Sequence, residues 1–144
     1  MVTPDFDAIK KKLSGVFSTM RVMVVDDMPM NLDSYRLILQ GLGVQRSNIF
    51  SATNGLKAVT SMVSTKPDLI LSDWNMPVMD GLTATQLIRK HELASGISRT
   101  PIIAVTAHAM AGDEEKALEA GCNDYLTKPI DEEELWQKVE KLLA

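Results

Sequence analysis

Short apolar runs alternate with stretches of helical periodicity from Arg21 to the end of the chain, and that alternation is the signature of a parallel α/β sheet. The runs predict strands at Val22 to Val25, Asn48 to Ala52, Leu69 to Ser72, Ile102 to Val105 and Tyr125 to Thr127. Three of them, Val22-Met23-Val24-Val25, Leu69-Ile70-Leu71 and Ile102-Ile103-Ala104-Val105, are apolar at successive positions. Strands covered by helices on both faces read this way, so these three are expected at the centre of the sheet. The intervening spacing predicts helices near 31–41, 55–64, 82–92, 112–120 and 132–143. Gly41, Gly43 and Gly121 stand where helix ends favour a left-handed residue, and Asp131 with Glu134 resembles a capping box. Ahead of this unit, Phe6, Ile9, Leu13, Val16, Phe17 and Met20 recur every three or four positions. They predict a short amphipathic helix over residues 4–20 with a basic patch at Lys10, Lys11 and Lys12. The expected organisation is a helical extension over 1–20 and one domain over 21–144. The extension is expected to pack on that domain, with a membrane or partner surface as the alternative.

Composition narrows the function classes. At 144 residues and 45% hydrophobic, the chain supports one domain with a substantial core, and no apolar run approaches a membrane span. Acidic residues stand near the start, where a signal peptide needs basic ones. The single cysteine, Cys122, has no partner for an internal disulfide, so a cytoplasmic location is expected. A net charge of -4 with scattered basic residues argues against nucleic-acid binding, and no stable membrane insertion is expected.

The polar residues at strand ends carry the candidate chemistry. In an open parallel sheet, ligands bind beyond the carboxyl ends of the strands, beside the point where strand order reverses. Asp26 and Asp27 follow the first strand, Asp73 ends the third, Thr106 the fourth and Lys128 the fifth. Three carboxylates on one rim repel one another unless a cation joins them, and hard oxygen ligands suit Mg²⁺. The plainer alternative is that Asp26 and Asp27 only cap the next helix; Asp73 and Lys128 on the same rim count against it. Lys128, followed by Pro129, can reach inward either as an ordinary salt bridge or as a partner for a phosphate oxygen. The Thr106 hydroxyl can donate to such an oxygen, with small Ala107 leaving the approach open. His108 has no second ligand nearby in sequence and is not expected to bind metal.

Val25-Asp26-Asp27, Asp73-Trp74-Asn75-Met76-Pro77-Val78-Met79-Asp80-Gly81, Thr106-Ala107 and Lys128-Pro129 resemble the response-regulator receivers in order and spacing, over about residues 21 to 143. The resemblance implies a flavodoxin-like, doubly wound five-stranded parallel sheet of order 2-1-3-4-5 with five helices. It further implies phosphorylation of Asp73, with Mg²⁺ (or Mn²⁺) held by Asp27, Asp73 and the backbone carbonyl of Asn75, and Asp26 acting through metal-bound water. Thr106 and Lys128 would contact the phosphoryl group, Tyr125 would change rotamer unless it is permanently docked, and Lys128 to Pro129 would be a cis peptide.

The implied partners are a histidine kinase or histidine phosphotransfer protein as donor. A protein effector would meet the face formed by 112–120, 125–127 and 132–143, and the chain would be a monomer or a weak phosphorylation-dependent dimer. The stretch around Asp73 is similar to chemotaxis receivers, whereas 106–113 and 125–130 look more like receivers of hybrid kinases and phosphorelays. The leading expectation is a chemotaxis switch, with a phosphorelay receiver or a hybrid-kinase receiver fragment as the alternative. With the last predicted helix ending at the terminus, output is expected from another molecule or from a longer parent. Three rivals fit less well. An Asp-nucleophile phosphatase of the haloacid-dehalogenase type uses Asp-x-Asp rather than adjacent aspartates. A flavin module needs a Gly/Ser/Thr phosphate loop where Asp26-Asp27-Met28-Pro29 stands, and a degenerate scaffold receiver would lack the full residue set.

Overall fold

The computed structural model describes Gly15 and residues 17–107 and 110–143. Among the described residues, β1 (Val22–Val25), β2 (Ile49–Ala52), β3 (Leu69–Asp73), β4 (Ile102–Thr106) and β5 (Asp124–Thr127) form one parallel sheet of order β2-β1-β3-β4-β5. The connecting helices are α1 (Pro29–Leu42), α2 (Gly55–Thr65), α3 (Gly81–Ser95) and α4 (Asp113–Ala120), and α5 (Glu132–Leu143) follows the last strand. The predicted strand order and the five strand-to-helix alternations are present. All residues of β1, β3 and β4 are buried, as their unbroken apolar runs require.

Each strand sends alternate side chains to opposite faces, so the sheet divides the core in two. Val22, Val24, Leu69, Leu71, Ile103, Val105 and Leu126 pack with Leu32, Tyr35 and Leu39 of α1 and Leu135, Trp136 and Val139 of α5. Met23, Val25, Ile70, Ile102 and Ala104 face the other way, onto Ala58 and Met62 of α2, Ile88 of α3 and Ala117 of α4. Most of the predicted N-terminal helix lies outside the described residues, but Phe17 and Met20 are buried in the α1/α5 half of the core. The Phe17 ring lies 4.5 Å from that of Trp136. The end of the extension therefore shares the core of the domain it precedes.

Boundaries differ from the sequence expectation where a tertiary contact decides them. Asn48 closes a 3₁₀ turn (Arg46–Asn48) and β2 starts at Ile49, while β5 begins one residue early at Asp124. Gly41 is not a helix end. Burial of Leu42 carries α1 one residue further, and Gly43 takes the left-handed conformation with φ 112° and closes onto Gln40 and Leu39. Gly121 caps α4 as predicted, with φ 109°. Asp131 Oδ1 accepts from the Glu133 N–H at 3.3 Å, and the Glu134 carboxylate lies 3.7 Å from Lys138, so the α5 start is capped by Asp131 while Glu134 pairs along the helix.

Because Gly41 is helical and exposed, an added Cβ would meet only ordinary contact, 3.6 Å from Glu132 Oε1. Gly41→Ala is expected to stabilise the fold by about 0.5–1 kcal/mol through lower unfolded-state entropy, read as a rise of roughly 1–4 °C in thermal midpoint.

Candidate functional site

Four of the five strands, β1, β3, β4 and β5, each deliver a polar side chain to the same rim at their carboxyl ends. Asp26 follows Val25, with its N–H on Ala52 O at 3.1 Å, and is fully buried. Asp73 is the last residue of β3, pairs in register with Val105 and is 5% exposed. Thr106 ends β4 and is buried. Lys128 follows β5, and its N–H donates to Thr106 O at 2.7 Å, which ties the β4 and β5 ends together. The Lys128-Pro129 peptide is cis, as the resemblance implied. Asp26, Asp27 and Asp73 each bring one carboxylate oxygen to within 4.8 Å of the others. The Lys128 ammonium lies between two of them, 2.9 Å from Asp26 Oδ2 and 3.1 Å from Asp73 Oδ1.

These charges shape one another's proton affinity. Burial pushes the Asp26 carboxyl up, but the Met28 N–H, the Tyr35 hydroxyl and Lys128 outweigh it and hold Asp26 below the usual carboxylate range. Asp73 goes the other way: burial, then the charge of Asp26, lifts it above that range against the pull of Lys128. For Lys128, burial disfavours the charged ammonium, yet its bonds to Asp26 and Asp73 prevail and hold it above an ordinary lysine. Two adjacent carboxylates are thus made different, Asp26 by a full set of donors and Asp73 by burial and then repulsion.

The loop after Asp73 is held by close backbone approach. Gly81 donates its N–H to Trp74 O at 3.0 Å, and a Cβ at Gly81 would sit 2.1 Å from Asp73 O, so only glycine fits beneath the acidic pocket. Met79 N–H closes onto Pro77 O at 2.8 Å around Val78, whose φ of 70° is unusual for a β-branched residue and makes the rarer, strained γ-turn. Asp80 then caps α3 by accepting from the Thr83 N–H at 2.7 Å. Asn75 lies exposed in this loop, two residues beyond Asp73. Tyr125 is not on the rim. It sits half-buried on the opposite sheet face from α5, beside Ala104, and the Lys138 ammonium lies 5.9 Å over its ring and bonds Asp124 at 3.0 Å. His108 falls outside the described residues.

Sequence reasoning missed the partners of Asp26 that come from α1. The Tyr35 hydroxyl donates to Asp26 Oδ2 at 2.7 Å and is held well above an ordinary phenol, by burial and then by that bond, so it stays a donor. Asn31 reaches Asp26 Oδ1 at 3.3 Å. Tyr35 also lines a cavity of about 560 Å³ with Leu37, Ile38, Lys128, Pro129 and Ile130. An aromatic on the core side of an amphipathic helix is packing in any sequence pattern, so no signal in the chain marked its hydroxyl.

The chain and its 2-1-3-4-5 sheet have counterparts among known proteins. The chain is 48% identical over 116 residues to the signal transduction histidine-protein kinase BarA of Escherichia coli K12, and 46% over 122 residues to hybrid signal transduction histidine kinase G of Dictyostelium discoideum. These matches cover 81% and 85% of this chain but only 12% and 3% of those longer proteins. The receiver domain of sensor histidine kinase PA1611 of Pseudomonas aeruginosa, solved with magnesium coordinated in its active-site cleft, superposes with a TM-score of 0.72 at 38% identity. That match covers 85% of this chain and 95% of that one. The receiver of Saccharomyces cerevisiae Ssk1 in complex with the histidine phosphotransfer protein Ypd1 matches with a TM-score of 0.76 at 32% identity, covering 87% and 90%. These relatives favour a phosphorelay or hybrid-kinase receiver over the chemotaxis switch that led the sequence expectation. The family profile named "Response regulator receiver domain" runs from residue 22 to residue 140, through every strand end that builds the pocket, and the chain belongs to that family.

Proposed function

We propose that this chain is the receiver of a phosphorelay, taking a phosphoryl group from a phosphohistidine of a histidine kinase or phosphotransfer protein onto Asp73. The observation that carries this reading is the pocket in which Lys128 bridges Asp26 and Asp73 while Asp27 brings a third carboxylate within 4.8 Å. A set of hard oxygens of this charge fits Mg²⁺, which Asp27, Asp73 and the Asn75 carbonyl would hold with Asp26 acting through water, and which would neutralise charge on the phosphoryl oxygens. Asp73 is the nucleophile. Its carboxylate oxygen attacks phosphorus, the P–N bond to the donor imidazole breaks, and the electron pair leaves with the imidazole nitrogen. Lys128 exchanges its bond to Asp73 for a phosphoryl oxygen, and the Thr106 hydroxyl takes a second.

Donor docking is assigned to the α1 side. There the exposed Leu37 lines the cavity shared with Lys128 and Pro129, and Met28 and Met30 are exposed at the start of the same helix. Movement of Thr106 and Tyr125 carries the phosphorylated state to the α4, β5 and α5 face, where Lys138 braces Asp124. The role is that of a signalling switch acting on its own side chain, in the cytoplasm; among the described residues no helix is long and apolar enough to cross a membrane.

Incubation with Mg²⁺ and acetyl phosphate is expected to add one phosphoryl group to the wild type and none to Asp73→Asn, read by intact mass. A wild type that binds Mg²⁺ yet stays unmodified by acetyl phosphate and by a phosphorylated phosphotransfer protein would overturn the reading.

A further inference from the structure

Asp26 is more completely engaged than a metal-site carboxylate needs to be. Among the described residues its Oδ1 accepts from the Met28 N–H at 2.9 Å and the Asn31 amide at 3.3 Å. Its Oδ2 accepts from the Tyr35 hydroxyl at 2.7 Å and Lys128 at 2.9 Å. A carboxylate offers about four acceptor positions, and protein donors approach all of them, the long Asn31 bond marking the one place a metal-bound water can still reach. The four are not equivalent. The Met28 N–H is fixed by the chain entering α1, the Asn31 bond is long, and Lys128 divides itself between Asp26 and Asp73. Tyr35 makes the shortest of these bonds, carries no charge and is 4% exposed, with its ring fixed among the core residues of α1 and α5. Phenylalanine would fill the same core position, so the hydroxyl is surplus to packing and its direction onto Oδ2 calls for its own explanation.

The geometry points to Tyr35 as a positioning residue that keeps Asp26 out of direct cation coordination, so that the pocket presents two carboxylates to a metal rather than three. This rests on the Mg²⁺-dependent receiver reading and deepens it. By donating to Oδ2, Tyr35 withdraws charge from that oxygen, fixes the plane of the carboxylate and occupies a lone pair that a cation would otherwise take. The consequence is selectivity. Mg²⁺ is satisfied by one or two carboxylates and keeps its waters, whereas Ca²⁺ takes six to eight oxygens and gains from each further carboxylate that can turn toward it. Tyr35 therefore discriminates against Ca²⁺ by denying it Asp26.

The test titrates Mg²⁺ and Ca²⁺ separately into the full chain by calorimetry, with the fluorescence of Trp74, next to Asp73, as the local readout. Tyr35→Phe is expected to bind Ca²⁺ roughly tenfold more tightly and Mg²⁺ only about threefold, so the Mg²⁺/Ca²⁺ ratio falls. In an Asp26→Asn background the same substitution is expected to change neither affinity. A merely structural role would lower the unfolding midpoint and leave the affinity ratio where it was. Tyr35→Met, which also lacks the hydroxyl, must reproduce the shift and serves in place of Tyr35→Phe if that variant does not fold. Unchanged or weaker Ca²⁺ binding, or a gain that persists without the Asp26 carboxylate, overturns the inference alone. A wild type that binds no Mg²⁺ overturns both the inference and the reading beneath it.

Discussion

Arg89→Met is expected to destabilise the fold by about 3–5 kcal/mol, the cost of leaving a buried charge without its partner. Glu92 is 3% exposed, and its carboxylate is held by Arg89 at 2.7 Å and by the Thr100 N–H at 2.6 Å. The rest of the guanidinium is spent on Gly121 O, Thr100 O and Asn123 Oδ1, at 2.9, 2.8 and 2.8 Å. Asn123 Oδ1 in turn accepts from the Ile102 N–H that begins β4. One side chain thus joins the end of α3, the start of β4 and the turn before β5, at the rim opposite the acidic pocket. Methionine keeps the stem and removes every donor. In urea unfolding the midpoint is expected to fall by roughly 2 M, at a slope of about 2 kcal/mol per M. Adding Glu92→Met to Arg89→Met removes the stranded carboxylate and should recover part of the loss. A change below about 1 kcal/mol would mean that the network is hydrated and behaves as a surface pair.

This network also shows where the sequence stops being informative. Arg89 and Glu92 stand three apart on a helix, a spacing that describes any solvated ion pair; their burial depends on the α4–β5 turn folding over them, which no local pattern encodes. The central strands were legible because burial on both faces leaves an unbroken apolar run. The rim was legible for a related reason: a parallel sheet sends all its strand ends to one side, so Asp26, Asp27, Asp73, Thr106 and Lys128 had to meet once the strands were placed. Periodicity placed Tyr125 in β5, and only the resemblance gave it a switching role. Tyr35 was not legible, since helix periodicity marks it for the core and is silent on the direction of one hydroxyl. Gly41 misled because two glycines near a helix end satisfy the same pattern, and burial of Leu42 between them chose Gly43.

Lys128→Met is expected to cost roughly 2–3 kcal/mol at neutral pH without Mg²⁺, between the values for an exposed pair and a fully buried one, because the lysine is 20% exposed while its partners are buried. The wild-type ammonium is held above its ordinary value, so its contribution is fully present at neutral pH and fades only as pH rises through the lysine range. Without it, Asp73 keeps the repulsion of Asp26 and loses its nearest cation. A carboxyl raised in the folded state favours folding when protonated and opposes it when ionised, so the deficit of the variant should shrink as pH falls from about 7 toward about 4. Asp26 limits the recovery at lower pH. The Met28 N–H and the Tyr35 hydroxyl still favour its ionised form in the variant, and that contribution is lost as the carboxylate takes up a proton. Mg²⁺ offers the missing charge by another route and should close at least half of the gap at neutral pH, while the wild type gains less because its lysine already competes for Asp73. Urea unfolding with and without Mg²⁺ at several pH values measures all of these terms. A deficit constant across pH and indifferent to Mg²⁺ would mean that Lys128 acts through the packing of its methylenes, and that the three carboxylates do not share a common electrostatic pocket.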